Sequence, residues 1–256
     1  MSTLIVIPAR LGSSRLPRKP LRLLGGRPLI VRVWERVGSM HVADRVVVAT
    51  DSQAVAEAAT EAGAEVAMTS SEHRSGTDRV AEVAGRAEFE SYGVVVNVQG
   101  DEPFVGAEAV RGAAGLVESG RFPLATAACR GEPDILLNPS VVKVVMDARD
   151  RALYFSRAPI PFLRDVQDRA MRDVLVRQHI GVYAYTREAL DRWVSLPAHP
   201  LERIEQLEQL RPLADGVSMG VTLVADAAVP GIDTEEDLAS ANARWPVEQP
   251  SAAGAL

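Results

Sequence analysis

The sequence predicts an α/β fold: a single domain with a mostly parallel central sheet, helices on both faces and a smaller mixed or antiparallel region. Three observations carry this reading of the architecture. The β-branched runs at Leu4–Pro8, Val46–Val48 and Val94–Val98 are apolar at nearly every position, as strands buried on both sides must be. Up to about residue 120 they alternate with segments whose apolar residues share one helical face, the β-loop-α rhythm of such sheets. The chain has 256 residues, 47% apolar and 24% charged, which suffices for one large core.

In order, Leu4–Pro8 reads as the first strand, followed by a loop over Ala9–Arg27 rich in Arg, Lys, Pro and Gly. Pro28 suits the first turn of a helix that continues through Leu29–Val37. Arg45–Thr50 is a strand. Ser52 caps a helix over Gln53–Ala62, which Gly63 stops. Glu65–Met68 is a short strand, and the polar loop Thr69–Arg79 leads into a helix near Val80–Ala87. Val94–Val98 is a strand and Ala107–Ser119 a helix.

Beyond residue 120 the rhythm changes. Ala125–Cys129, Val141–Met146, Ala152–Phe155 and Ile180–Tyr185 read as short strands without regular helices between them, which favours antiparallel or mixed pairing. Helices are predicted over Thr186–Val194 and Pro200–Leu210, then a strand over Val217–Val224. A closing helix over Thr234–Ala243 has Glu235, Glu236 and Asp237 in its first turn, where the helix dipole favours them. One domain is expected over 1–247, its pattern changing at about residue 120, and a frayed Pro/Ala/Gly/Ser-rich tail covers 248–256.

A net charge of −6 disfavours a surface that coats nucleic acid, so an anionic ligand must be met by a local basic cluster. No apolar run is long enough for a membrane span or a signal peptide, so a cytoplasmic location and no membrane partner are expected. The single cysteine, Cys129, cannot form an internal disulfide and reads as a buried thiol.

Chemistry concentrates in a few places. The strand Val94–Val98 stops at Gln99-Gly100-Asp101-Glu102-Pro103, putting Asp101 at the carboxyl end of a buried strand, where open α/β sheets bind ligands. Gln99, two positions away, can face the same side as a hydrogen-bonding partner. Asp233, in Pro230-Gly231-Ile232-Asp233-Thr234, is far off in sequence and reads equally as a helix N-cap. If the two carboxylates converge they make a hard-oxygen site suited to Mg²⁺ together with substrate phosphates. The loop Pro8–Pro20 carries Arg10, Arg15, Arg18 and Lys19, with Gly12, Ser13 and Ser14 allowing close backbone approach. Dense positive charge after the first strand fits a triphosphate, although a solvated basic loop has the same composition. Neither the dinucleotide fingerprint nor the Walker pattern is present.

Ser75, Gly76, Thr77 and Arg79 precede a helix, where they can either cap it or read a nucleoside. His179, Gly181 and Tyr183 share one face of a strand, which suggests a polar pocket with room for a ligand, and Arg157 could grip a carboxylate with two bonds. By themselves, Glu208 and Gln209 read as the solvated face of a helix, Trp193 and Trp245 as packing residues, and His73 as a surface or capping residue.

Ile7-Pro8-Ala9-Arg10 followed by Ser14-Arg15-Leu16-Pro17-x-Lys19-Pro20-Leu21 resembles the amino-terminal signature of the 3-deoxy-manno-octulosonate (Kdo) cytidylyltransferases. In that pattern the residue before the lysine is commonly Gly; here it is Arg18. The resemblance runs on in order through Val-Ala-Thr-Asp at 48–51, His-Arg-Ser-Gly-Thr-Asp-Arg at 73–79 and Val-Asn-Val-Gln-Gly-Asp-Glu-Pro at 96–103. Ala-Leu-Tyr-Phe-Ser-Arg at 152–157, His-Ile-Gly-Val-Tyr at 179–183, Leu-Glu-Gln-Leu-Arg at 207–211 and Gly-Ile-Asp-Thr at 231–234 complete it.

The resemblance implies transfer of CMP from CTP to the anomeric hydroxyl of Kdo, with release of pyrophosphate, in lipopolysaccharide precursor supply. It implies a catalytic set of Arg10, Lys19, Asp101 and Asp233, with magnesium on Asp101 and Asp233. CTP would meet Pro8, Ala9, Arg10, Arg15, Lys19, Ser75, Gly76, Thr77, Arg79 and Gln99. The sugar would meet Gln99, Arg157, His179, Tyr183, Glu208 and Gln209. Also implied are a nucleotide-diphospho-sugar transferase-like fold, a nucleotide-binding part over about 1–120, a sugar-binding and dimerisation part over about 121–230, and a homodimer joined through the mixed-strand region. A cytidylyltransferase for another acidic keto-sugar, such as a sialic acid or an amino variant of Kdo, and a catalytically silent nucleotide-binding module remain open alternatives.

Overall fold

The computed structural model describes residues 1–12, 15–225 and 228–245. The predicted tail at 248–256, and Ser13 and Ser14 of the basic loop, lie outside the described residues.

The first part of the chain alternates as expected. It runs β1 (Thr3–Ala9), a short hairpin of β2 (Leu23–Leu24) and β3 (Arg27–Pro28), α1 (Leu29–Gly38), β4 (Arg45–Thr50), α2 (Gln53–Glu61) and β5 (Glu65–Met68). Then come α3 (Gly76–Ala84), β6 (Val94–Val98) and α4 (Ala107–Glu118). The rest comprises β7 (Leu124–Arg130), β8 (Lys143–Met146), β9 (Ala152–Ser156), α5 (Arg169–Asp173), β10 (Arg177–Thr186), α6 (Arg187–Ser195), α7 (Pro200–Glu205), α8 (Leu210–Ala214), β11 (Met219–Val224) and α9 (Glu235–Arg244).

One sheet carries the fold, in the order β11-β7-β10-β6-β1-β4-β5. The pairs β1–β4, β1–β6, β4–β5 and β7–β11 are parallel, and β10 runs antiparallel to both β6 and β7. The antiparallel hairpin β8–β9 leaves the sheet beside β10, touching it where Lys143 faces Gln178. Mixed pairing in the second half therefore holds for β8, β9 and β10, whereas β7 and β11 continue the parallel direction.

Alternation along the strands supplies two cores. Ile5, Ile7, Val94, Val96 and Val98 face one side, against α1, α2, α4 and α9; Leu4, Val6 and Val95 face the other, against α3, α6 and α8. Coverage on both faces is why these strands show no polar alternation. Cys129 is buried, as expected. Trp193 is a core residue, and Trp245 packs on Phe104 and under the Arg32 guanidinium.

Two of the boundaries that differ from expectation bear on the site. α3 begins at Gly76, not near Val80, because Ser75 and Asp78 form a reciprocal capping box. The helix expected over Pro200–Leu210 is broken: α7 ends at Glu205, its cap Gln206 takes a left-handed conformation (φ 54°), and α8 begins at Leu210. Among the described residues no helix is long and apolar enough to cross a membrane.

Candidate active site

The carboxyl ends of β1 and β6 open into a cleft of about 330 Å³. Pro8, Ala9 and Arg10 form its floor where β1 ends, and Arg15 and Lys19 close one side from the following loop. Ser75, Gly76 and Arg79 stand opposite at the start of α3, while Gln99, Asp101 and Asp233 complete the wall. Gly12, Pro20 and Gly100 also line it.

The two aspartates converge. Lys19 Nζ lies 2.6 Å from Asp101 Oδ2 and 2.7 Å from Asp233 Oδ1, so the two oxygens are no more than two hydrogen-bond lengths apart. Arg15 Nη2 lies 3.1 Å from Asp233 Oδ2. Asp233 is free for this because Thr234, not Asp233, caps α9: the Thr234 hydroxyl accepts from Asp237 N at 3.1 Å, and Asp237 Oδ2 accepts from Thr234 N at 2.9 Å. Ile232 N donates to Asp101 O at 2.9 Å, joining the loops that carry the two carboxylates. Arg22 grips Glu235 with two bonds of 2.5 and 2.7 Å, fixing the start of α9 beside the basic loop.

Backbone shape matters at two positions. A Cβ on Gly100 would stand 2.6 Å from Pro8 O, so only glycine lets the turn bearing Asp101 close onto β1. Arg18 is left-handed (φ 56°, ψ 33°), a conformation that glycine takes freely and that a residue with a Cβ holds at the cost of strain.

Charge is stabilised at Lys19 and Asp233. Burial opposes the Lys19 charge, but Asp101 and Asp233 outweigh it and raise its pKa. Burial likewise opposes the Asp233 carboxylate, while Lys19 and Arg15 hold it below its usual range. Glu102 behaves differently: burial and the neighbouring Asp101 and Asp233 push its carboxyl up to about 8.

Among the described residues no three His, Cys, Asp or Glu side chains gather closely enough to hold a metal by themselves. The two converging aspartates nevertheless fit a hard divalent cation that takes its other oxygens from a bound triphosphate and water. Their convergence on one ammonium group shows that this corner accommodates a positive charge.

Other predicted nucleotide residues have fixed duties. Ser75 lines the cleft and also caps α3. Thr77 is buried beneath it and does not line the cleft. The Arg79 guanidinium is buried, paired with Asp51 at 3.2 Å and bonded to the Thr69 hydroxyl. Arg10 is exposed, with Nη1 3.5 Å from Arg74 O. His73 pairs with Glu82 at 2.6 Å, away from the chemistry.

The predicted sugar group is not part of this cleft, apart from Gln99. The His179 and Tyr183 rings lie 5.6 Å apart, across a register shift where β10 bulges against β7. The Thr126 hydroxyl lies 2.7 Å from Val182 O and 3.2 Å from Ile180 O, and with its hydrogen given to one of these carbonyls, His179 Nε2 carries the proton and donates to Thr126 Oγ1 at 2.9 Å. Burial pulls the His179 pKa down to about 3. Tyr183 is buried against Trp193 and Tyr185.

Glu208 and Gln209 do not occupy a solvated helix face. They lie in the turn between α7 and α8, with Gln209 fully buried and Glu208 partly so. Burial pushes the Glu208 carboxyl up, against the pull of the Ser75 and Thr77 hydroxyls. Arg157 spends its fork on main-chain carbonyls: Nε on Glu205 O (2.9 Å), Nη1 on Pro139 O (2.8 Å) and Nη2 on Gln206 O (3.4 Å). The short helix α7 leaves these last carbonyls without helical partners, and Arg157 supplies the donors. Asn97, Tyr185 and Glu102 were not singled out in the sequence; the signal for Asn97 is one polar residue interrupting a run of valines.

A basic cleft with two converging aspartates at the carboxyl ends of parallel strands fits the class of nucleotidyltransferases. The cytidylyltransferase family model matches residues 4–219. The 3-deoxy-manno-octulosonate cytidylyltransferase of Gemmatimonas aurantiaca is 61% identical over 96% of this chain and 95% of its own length. That of Marinobacter nauticus is 45% identical over 93% and 95%. The solved structure of a CMP:2-keto-3-deoxy-manno-octonic acid synthetase complexed with CTP is 38% identical, superposes with a TM-score of 0.87 and covers 95% of this chain and 98% of that one. The chain belongs to the 3-deoxy-manno-octulosonate cytidylyltransferase family.

Proposed function

We propose that this protein transfers CMP from CTP to the anomeric hydroxyl of Kdo, giving CMP-Kdo and pyrophosphate. The observation that carries this is the meeting of Asp101 and Asp233 around one cation position, beside Arg10, Arg15 and Lys19.

Arg10, Arg15 and Lys19 neutralise the triphosphate and steady the charge that builds on pyrophosphate as it leaves. The sugar oxygen attacks the α-phosphorus in line, forming the new P–O bond as the bond to pyrophosphate breaks. Asp101 and Asp233 would hold Mg²⁺, which when bound neutralises phosphate charge and lowers the pKa of the attacking hydroxyl. Ser75 and Gly76 position the nucleoside, and Gln99 stands between it and the sugar. Protein catalysis here is positioning and electrostatics, with no covalent intermediate. The exposed apolar side chains Leu137, Phe162, Val166, Met171 and Ile204 all belong to the later half of the chain and support a homodimer formed there.

The test is pyrophosphate release from CTP with Kdo, with and without Mg²⁺. Release that needs both is expected. Release with another acidic keto-sugar and none with Kdo would reassign the substrate, and none in any pairing would sink the enzyme reading. Light scattering of the purified chain reads its mass for the dimer.

A further inference from the structure

The loop between β5 and α3 leads into Ser75 and Gly76, which line the cleft. Its main chain has little support of its own. Thr69 N donates to Thr50 O at 2.9 Å, but among the described residues no main-chain N–H of 70–74 finds a main-chain acceptor. Side chains hold the loop instead. Glu82, late in α3, reaches back to it: Oε2 accepts from Ser70 N at 2.9 Å and lies 2.6 Å from His73 Nε2. Glu82 Oε1 accepts from Arg86 Nη2 at 2.9 Å, and the same nitrogen donates to Met68 O at the end of β5. Within the loop, Glu72 N donates to Ser70 Oγ at 3.1 Å.

Both ends of this loop meet arginines of the cleft. The Arg79 guanidinium donates to the Thr69 hydroxyl and pairs with Asp51 at 3.2 Å. Arg10 Nη1 lies 3.5 Å from Arg74 O, a longer contact. Arg10, Ser75, Gly76 and Arg79 all line the cleft, so four of its groups depend on the course of one loop. Glu82 ties the middle of that loop to a helix.

Burial works against the Glu82 charge, but Ser70 N–H, His73 and Arg86 hold its carboxyl down to about 2. It is therefore an anion near neutral pH, and its bonds are of the stronger, charge-assisted kind.

We propose that Glu82, with His73, is a positioning residue for nucleotide binding, clamping the loop 69–75 in the course that the bound nucleotide requires. This rests on the cytidylyltransferase reading of the cleft. Neither side chain lines the cleft, so the clamp acts through the loop and before the ligand arrives. A loop already in its binding course loses less freedom when the ligand binds. Affinity falls with the fraction of molecules whose loop is competent.

The experiment compares Glu82→Gln, His73→Leu, His73→Gln and the double Glu82→Gln/His73→Leu. Calorimetry reads Kd for CTP without sugar, and kinetics with Kdo read the sugar KM at saturating CTP. Glu82→Gln is expected to raise Kd for CTP about tenfold, as if the loop stood ready in roughly one molecule in ten. The sugar KM is expected to stay near that of the unaltered chain. The direction is diagnostic: removing an anion near a triphosphate would by charge alone tighten binding. His73→Leu raises Kd for CTP by a smaller factor. His73→Gln restores it, because its amide N–H stands near the place of Nε2. The double is no worse than Glu82→Gln alone, since His73 acts through Glu82.

An unchanged or tighter Kd for CTP in Glu82→Gln overturns the proposal. So does a sugar KM that rises as far as that Kd, or losses that multiply in the double. If Glu82→Gln does not fold, the His73 variants decide, and equal Kd values in His73→Leu and His73→Gln overturn the proposal. If the unaltered chain binds CTP yet releases no pyrophosphate, the transferase reading fails and the clamp is judged on Kd alone. If it binds no CTP, both are overturned.

Discussion

The corner built by Asp101, Asp233, Lys19 and Arg15 and the group built by His179, Tyr183, Tyr185 and Glu208 treat charge in opposite ways. In the first, each carboxylate has a cation within hydrogen-bond reach, and the balance favours the charged forms of Lys19 and Asp233 despite partial burial. In the second, burial is the largest cause at every group: the His179 pKa falls, the phenols of Tyr183 and Tyr185 rise, and so does the Glu208 carboxyl. The same chain thus makes one region fit for phosphate and metal charge and another fit for neutral hydrogen bonding, through partner supply rather than residue type.

The sharpest break of this contrast is a pair of matched substitutions. Asp101→Asn removes a charge from the first region and is expected to lower kcat roughly 1,000-fold, a loss of several kcal/mol of charge stabilisation, with thermal unfolding little changed. Glu208→Gln makes the same chemical change in the second region and is expected to cost within about tenfold in kcat/KM for the sugar, one hydrogen bond's worth. Equal losses in the two variants would dissolve the distinction.

A backbone change should hurt the charged corner next. Gly100→Ala drives a Cβ against Pro8 O and is expected to cost about 1–3 kcal/mol in unfolding free energy, since a main-chain atom cannot step aside. Turnover should fall with it, because Asp101 is the next residue. Denaturant melts and initial rates on one preparation check both effects.

Acid should find the neutral region. His179 titrates near 3 in the folded chain against an ordinary 6.5, so between those values the folded chain binds fewer protons than the unfolded one. Stability contributed by the neutral ring is fully present above pH 6.5 and is lost as pH falls toward 3. A series of melting temperatures across that window should slope downward in acid, and His179→Asn should flatten the slope. The smallest effect is expected at Arg18→Gly, which relieves a left-handed side chain and should change stability by no more than about 1 kcal/mol upward.

Three mostly apolar strands were legible to the residue: Arg45–Thr50, Glu65–Met68 and Val94–Val98 are where the pattern puts them. So were the members of the charged corner, because a basic loop after β1 and an acidic turn after β6 sit where such sheets place ligands. The break at Gln206 was not legible. A continuous helical pattern spans it, and a left-handed residue that is not glycine leaves no mark in composition. With the helix misread, Glu208 and Gln209 read as solvent-facing, although the turn buries them. The main-chain partners of Arg157 were not legible either, because Glu205 O and Gln206 O are open to it only where α7 stops, and Pro139 O comes from a distant segment.

The sequence by itself determined which segments become buried strands and which residue types could handle a triphosphate, since hydrophobic period and local charge are properties of neighbours along the chain. Only the tertiary structure decided that Asp101 and Asp233, 132 positions apart by subtraction of their numbers, share one cation. That relation depends on the order in which strands join the sheet, and strand order is set by packing across the whole domain.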